Sequence, residues 1–205
     1  MAIEVRGVGA VRRGRRAVPV PDLSLGGPGL VRVRGANGAG KSTLIELLAG
    51  GIAPAVGEVR ICGVRADARA ARGLRRVCRT EIALLGHVAL RRHATLFARA
   101  AAVPALEALG ALADEGLADR LDDRVDALST GEARRAWMRL TTLGAAPVLL
   151  LDEPLLGVDE AAAEALRERI DAWAVERLVV VVDHGRRDWG GRALDLSQPR
   201  ARISP

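Results

Sequence analysis

Leu30-Val-Arg-Val-Arg-Gly35-Ala-Asn-Gly-Ala-Gly-Lys41-Ser42-Thr43-Leu-Ile-Glu-Leu-Leu48 is the stretch from which the rest of the chain is read. Leu30, Val31 and Val33 predict a strand entering a core, and Leu44, Ile45, Leu47 and Leu48 predict the apolar face of a helix. Between them, Gly35-Ala-Asn-Gly-Ala-Gly-Lys-Ser42 fits the pattern G-x-x-x-x-G-K-[ST] in the strand-to-helix setting that it requires. Glycines let backbone N–H groups turn inward around phosphate oxygens, and the helix N-terminus adds positive potential. Lys41 is placed to reach β- and γ-phosphates and the Ser42 hydroxyl to ligate Mg²⁺. Gly35, Asn37, Gly38, Gly40, Lys41, Ser42 and Thr43 form the candidate nucleotide-binding set. Composition singles out Lys41 further, because the chain carries 31 basic residues and Lys41 is its one lysine. This loop specifies a nucleoside triphosphate and nothing narrower.

Downstream, Val148-Leu-Leu-Leu-Asp152-Glu153 is a continuous apolar run ended by acids, as expected of a strand buried on both faces of a parallel sheet. Ligands of open α/β sheets bind at the carboxyl ends of strands. Neighbouring strand residues point to opposite sides, so the two acids suit different tasks. Asp152 is the candidate Mg²⁺ ligand, with Ser42, and Glu153 the candidate base that polarises an attacking water. Leu178-Val-Val-Val-Val-Asp183-His184 repeats the design, which makes His184 the candidate γ-phosphate contact and, with Glu153 and Lys41, part of the catalytic set. The plain alternatives are acids that merely cap a strand and a surface histidine.

Elsewhere the pattern alternates. Residues 3–34 predict short strands broken by Gly and Pro, including Val18–Leu25, and Gly57–Ile61 predicts another. From Ile82 to Leu140 the chain reads as helical and Ala/Leu-rich, interrupted by Pro104 and the turn at Asp114-Glu115-Gly116. Asp159 is placed to cap a helix running to about Val175, with Leu166, Ile170 and Trp173 on one face. With 205 residues, 49% of them hydrophobic and 27% charged, a single globular domain with a real core is expected. The net charge of +6 raises the question of nucleic acid, but the arginines are scattered and only one Phe, three Trp and no Tyr are present for stacking, so no nucleic-acid partner is expected. Cys62 and Cys78 lack disulfide or metal spacing and read as reduced thiols. The N-terminus lacks the apolar core of a signal peptide, and no apolar run approaches the ~20 residues that span a bilayer. A cytoplasmic protein follows, whose membrane role would run through a partner.

Leu128-Ser-Thr-Gly-Glu132 resembles the Leu-Ser-Gly-Gly-Gln signature of ATP-binding cassette proteins, and Ala133-Arg-Arg-Ala-Trp-Met-Arg-Leu140 resembles its signature helix. Pro154-Leu-Leu-Gly-Val-Asp159 is similar to the family's D-loop and Asp183-His184 to its H-loop. The resemblance covers essentially the whole chain, and four motifs in order are far more specific than any one alone. It implies a P-loop NTPase of α/β class with a mostly parallel core sheet, an N-terminal antiparallel β subdomain and a short helical insertion. The single domain spans 1–205, with its core at about 1–81 and 141–205 and its helical part at about 82–140.

The resemblance also implies a mechanism. A second such subunit, expected to be an identical copy, pairs head to tail, so that Ser129 and Gly131 of one copy contact the γ-phosphate of ATP bound by the other, with Asp159 in the adjoining D-loop. The implied protein is the MgATP-hydrolysing subunit of an ABC transporter, on the inner face of the membrane beside an integral membrane permease. The alternatives are a soluble non-transport cassette ATPase and a nucleotide-responsive regulatory module with weak turnover. Three departures bear on coupling. Glu132 replaces Gln and brings a carboxylate whose repulsion would oppose closure unless an arginine offsets it. No aromatic residue stands near positions 11–13 for adenine, leaving Arg12 or Arg13 to stack instead. Leu85-Gly-His87-Val88 occupies the place of the Q-loop, so that His87 is the candidate substitute for its glutamine, whereas Val88 in that position would be a loss. The Leu-Gly-His stretch and the compact length are similar to ATPase subunits of the haem exporters of cytochrome c maturation.

Overall fold

The computed structural model describes residues 2–13, 16–183, 190–196 and 202–204. In chain order the elements are β1 (Ile3–Arg6), β2 (Gly9–Arg13), β3 (Arg16–Val20), β4 (Leu23–Leu25), β5 (Gly29–Arg34), α1 (Lys41–Leu48), β6 (Glu58–Ile61), β7 (Val64–Arg65) and β8 (Arg75–Cys78). They continue with α2 (Leu90–Ala101), α3 (Ala105–Ala113), α4 (Thr130–Thr141), β9 (Val148–Asp152), α5 (Glu160–Glu176), β10 (Leu178–Val182), β11 (Arg192–Asp195) and β12 (Arg202–Ser204). The chain divides into a sheet unit, Met1–Val77, Ala146–Glu153 and Arg167–Pro205, and a helical unit, Cys78–Ala145 and Pro154–Leu166.

In the sheet unit, a six-stranded sheet of order β12-β11-β5-β10-β9-β8 forms the centre. β11, β5, β10 and β9 run parallel, and β12 closes one edge antiparallel to β11. Every residue of β10 is buried, as are Val148–Leu151 of β9, which is why both strands are unbroken apolar runs. A four-stranded sheet of order β4-β1-β6-β7 is antiparallel throughout and alternates buried with exposed residues, as one-faced burial requires. Ile3, Leu25 and Ile61 stand side by side across its register and join Leu44, Leu47, Val31 and Val180 in one core.

Two expectations change in detail. Val18–Leu25 is not one strand: β3 pairs with β2 as a hairpin, whereas β4 pairs with β1. Pro21 lacks the N–H that would continue a ladder, and the Asp22 carboxylate accepts from the Gly7 N–H at 2.7 Å, fixing the break. Residues 82–89 are not helical. They pair with the 121–126 segment, through Asp126 N–H to the Gly86 carbonyl, Val125 N–H to the Val88 carbonyl and Leu90 N–H to the Asp123 carbonyl.

In the helical unit, α2, α3 and α4 share a core of small and medium residues. Leu90, Ala94 and Ala98 of α2 meet Ala108, Ala111 and Leu112 of α3 and Ala136 and Leu140 of α4. Alanine at the contacts lets the helices approach closely, and Phe97 meets Trp137 edge to face at 5.9 Å and 89°. The Trp137 indole N–H donates to the Arg79 carbonyl at 2.9 Å, so the one polar atom of this buried ring is satisfied.

Candidate functional site

At the carboxyl end of β5 the backbone turns through Gly35 (φ 152), Gly38 (φ 81) and Gly40 (φ 102) before α1 begins at Lys41. Gly40 is the N-cap, and its left-handed φ is reserved for glycine by sterics. A Cβ there would also lie 2.6 Å from Val18 Cγ1. Lys41 is 5% exposed, and its ammonium donates to the carbonyls of Gly35 at 2.6 Å and Ala36 at 3.2 Å. The lysine thus lies along its own loop, on carbonyls that a phosphate can replace as partners. Ser42 and Asn37 are exposed, and Thr43 is buried at 3% exposure.

Register brings the acids to the same edge. Val33 of β5 pairs with Val182 of β10, which pairs with Asp152 of β9, so three parallel strands end level beside the loop. Glu153 lies one residue past the strand, donating its N–H to the Val182 carbonyl at 2.9 Å. Its φ of 52 puts a non-glycine residue in the left-handed region, a conformation costing about 1–3 kcal/mol. The two carboxylates are therefore set apart by a backbone turn at Glu153 and not by the two-residue alternation of a strand. Strain of this kind gathers where chemistry needs a side chain aimed.

Below α1, Arg75 of β8 does work that sequence reasoning missed. Only 6% exposed, it donates to the carbonyls of Ala49, at 2.5 Å, and Ala71, at 3.2 Å. A buried guanidinium at the C-cap satisfies the orphan carbonyl end of the helix whose other end is the phosphate loop.

The helical unit carries the rest. Ser129 is the N-cap of α4: its hydroxyl accepts from the Glu132 N–H at 3.2 Å, and its N–H donates to Glu132 Oε2 at 2.7 Å. This is a full capping box, so the carboxylate that replaces the family's Gln has a structural task. The Ser129 N–H, the Ser129 hydroxyl and the guanidinium of Arg120 hold the Glu132 carboxyl below the usual carboxylate range. Arg120 supplies the offsetting arginine, donating to Glu132 Oε1 at 2.9 Å. Its side chain crosses 12 positions of sequence, which no local pattern announces. Gly131 lies half-buried, and a Cβ on it would lie 3.7 Å from the Gly157 carbonyl. The Asp159 carboxylate accepts from the Ala162 N–H at 2.9 Å and caps α5.

His87 is exposed in the 82–89 segment. Its neighbour His93 is buried: the Leu85 N–H donates to Nε2 at 3.0 Å, which leaves the proton on Nδ1, 3.2 Å from the Ala89 carbonyl. His93 therefore holds this segment to α2, a role hidden behind its place on an apolar helix face. His184 lies outside the described residues. Arg12 and Arg13 belong to β2.

The family model described as ABC transporter matches residues 22–156, from before the phosphate loop to past the acids. The chain belongs to the ABC transporter family. Within that family it is 34% identical to the cytochrome c biogenesis ATP-binding export protein CcmA of Novosphingobium aromaticivorans, over 84% of this chain and 83% of that one. A CcmA from Sphingopyxis alaskensis is 38% identical over 78% of this chain and 77% of its own length. A phosphonates import ATP-binding protein PhnC from Anaeromyxobacter dehalogenans is 34% identical over 89% of this chain, which spans 40% of that longer protein. A solved ATP-binding subunit of an ABC transporter superposes with a TM-score of 0.86 at 24% identity, covering 98% of this chain and 88% of that one, and shows the same fold. The chain is an ATP-binding and ATP-hydrolysing subunit of an ABC transporter, with similarity to the cytochrome c biogenesis exporters.

Proposed function

We propose that two copies of this chain pair head to tail, each ATP lying between the phosphate loop of one and the α4 N-terminus of the other, and that this cycle drives a separate integral membrane permease. The observation that carries the reading is the level ending of β5, β10 and β9, which brings the phosphate loop, Asp152 and Glu153 to one sheet edge. The exposed Ser129 at the head of α4 supplies the second set of donors. A solved ATP-binding cassette of the same fold, with a TM-score of 0.84 and 18% identity, is dimeric in a post-hydrolysis state with ADP and Pi.

In this reading Lys41 leaves the Gly35 and Ala36 carbonyls for the β- and γ-phosphates, and the loop N–H groups hold the rest of the triphosphate. Ser42 and Asp152 are hard oxygen donors, one an exposed hydroxyl at the head of α1 and the other a half-buried carboxylate, a pair suited to Mg²⁺. When bound, Mg²⁺ neutralises charge on the phosphate oxygens. Glu153 accepts a proton as water bonds to the γ-phosphorus and the bond to the ADP oxygen breaks in line. Gly35, Asn37, Gly38, Gly40 and Thr43 shape the cradle, and His184 contacts the γ-phosphate. Ser129, Gly131 and Asp159 act on the partner's nucleotide, while His87 takes the place of the Q-loop glutamine toward the permease. Among the described residues no helix is long and apolar enough to cross a membrane, so the chain would sit at the cytoplasmic face, held there by the permease.

Glu153→Gln carries the test. Turnover should fall at least about 100-fold with ATP binding retained, the scale of a lost general base. Tagged Glu153→Gln protein, drawn from native membranes with MgATP, should bring down a stoichiometric multi-span protein. Unchanged turnover would remove Glu153 from its role, and a clean soluble dimer without a membrane protein would overturn the permease assignment.

A further inference from the structure

Glu132 places a full negative charge in the first turn of α4, beside the Ser129 and Gly131 that the proposed function sets against a second copy's ATP. Left bare, that carboxylate would repel the γ-phosphate. It is not bare. Arg120 uses each of its three nitrogens: Nε donates to Asp123 Oδ2 at 2.5 Å, Nη1 to Glu132 Oε1 at 2.9 Å and Nη2 to the Ala127 carbonyl at 2.9 Å. The last bond reaches Ala127 at the end of a short 3-10 turn, from which Leu128 and Ser129 run extended into the helix. Arg135 stands on the other side, one turn along α4, with Nη1 3.8 Å from the point where a Gly131 Cβ would lie. Its charge adds to that of Arg120 in favouring the ionised Glu132 carboxylate.

The frame beneath Arg120 is tied to the neighbouring segment. Asp123, Val125 and Asp126 are tied by backbone hydrogen bonds to the 86–90 segment, and Arg91 makes two bonds to Asp122, at 2.7 and 3.0 Å. Arg120 is thus held at its root while its fork grips the signature turn.

We propose that Arg120 is a positioning residue for ATP hydrolysis: it pins Glu132 onto the capping box and cancels its charge, so that the α4 N-terminus can receive the γ-phosphate held by a second copy. This rests on the two-copy reading above. It makes the requirement for Arg120 conditional on Glu132. A glutamine at 132 keeps both capping-box bonds and carries no charge to cancel.

The experiment uses the full chain in the Glu153→Gln background, with MgATP-dependent dimerisation measured by sedimentation velocity. Arg120→Met should weaken dimerisation at least about tenfold, which is ~1.4 kcal/mol. Glu132→Gln alone should match the parent, and Arg120→Met with Glu132→Gln should return to within about twofold of it. With Glu153 intact, Arg120→Met should lower kcat/KM for ATP and the same second change should restore it. Arg120→Gln, which keeps a donor for the Ala127 carbonyl, carries the comparison if Arg120→Met fails to fold. Parent-like dimerisation of the Arg120 variants, or a double variant as weak as the single, overturns the proposal while the two-copy reading stands. A parent that never dimerises with MgATP removes the two-copy reading, and this inference with it.

Discussion

Lys41, Asp152 and Glu153 stand at the carboxyl edge of a parallel sheet whose central strand is wholly buried, whereas Ser129 and Glu132 stand at the head of a helix held by part-exposed charges. The first set is placed by strand register and by glycines whose Cβ positions are filled by neighbours. The second is placed by Arg120, Asp123, Glu132 and the backbone pairing of 86–90 with 123–126. Burial resists salt, and surface ion pairs yield to it. In the proposed two-copy cycle, the half that performs the chemistry is the rigid one and the half that receives the second copy's nucleotide is the adjustable one. That proposed cycle needs such a division, because its opening must cost little while its phosphate geometry must not drift.

The largest effect expected on the rigid side is that of Gly40→Ala. A Cβ at φ 102 would lie 2.6 Å from Val18 Cγ1 and 3.4 Å from the Pro19 carbonyl. Backbone strain and overpacking together should cost about 3 kcal/mol, measured by urea unfolding, with ATP affinity lost in parallel. A cost below about 1 kcal/mol would mean that the loop yields, and the contrast between the halves would fail.

Next in size is Arg75→Met, which leaves the Ala49 and Ala71 carbonyls without this donor at a buried helix end. The expected loss is about 2 kcal/mol, the scale of hydrogen bonds to a charged group. It should be the same at low and high salt, since Arg75 is only 6% exposed. A loss that disappears in high salt would place Arg75 with the adjustable charges and blur the division.

Legibility follows the same line. β9 and β10 were readable because strands buried on both faces must be continuous apolar runs, and the phosphate loop because its glycines and its single lysine have one chemical use. The signature turn was readable by resemblance, but its support was not. Arg120 meets Glu132 across 12 positions and Arg75 reaches Ala49 across 26, distances at which an arginine in sequence looks like any other charged surface residue. β8 escaped for a related reason: Arg-Arg-Val-Cys shows no alternation in sequence, and its burial, with Arg75 and Cys78 buried at either end, does not alternate either. The 82–89 segment misled because its Ala and Leu residues suit a helix, whereas its backbone is pledged to 121–126.

The smallest effect probes the adjustable half by pH. His93 is 3% exposed, and burial lowers its pKa, with the nearby His87 acting in the same direction and the Ala89 carbonyl opposing. The folded protein therefore takes up a proton less readily than the unfolded chain, whose histidine titrates near 6.5. Stability is full above about pH 6.5 and falls as pH drops below it toward the folded pKa. Protonation also removes the Nε2 lone pair that accepts the Leu85 N–H, so the loss should appear as freer hydrogen exchange at Leu85 and its neighbours. His93→Gln should cost about 1 kcal/mol at neutral pH, the net worth of one hydrogen bond, and should flatten this acid limb. If the limb persists in His93→Gln, the proton sensitivity belongs elsewhere. If exchange rises equally in the β5–β10–β9 sheet, the two halves open as one and the division between them fails.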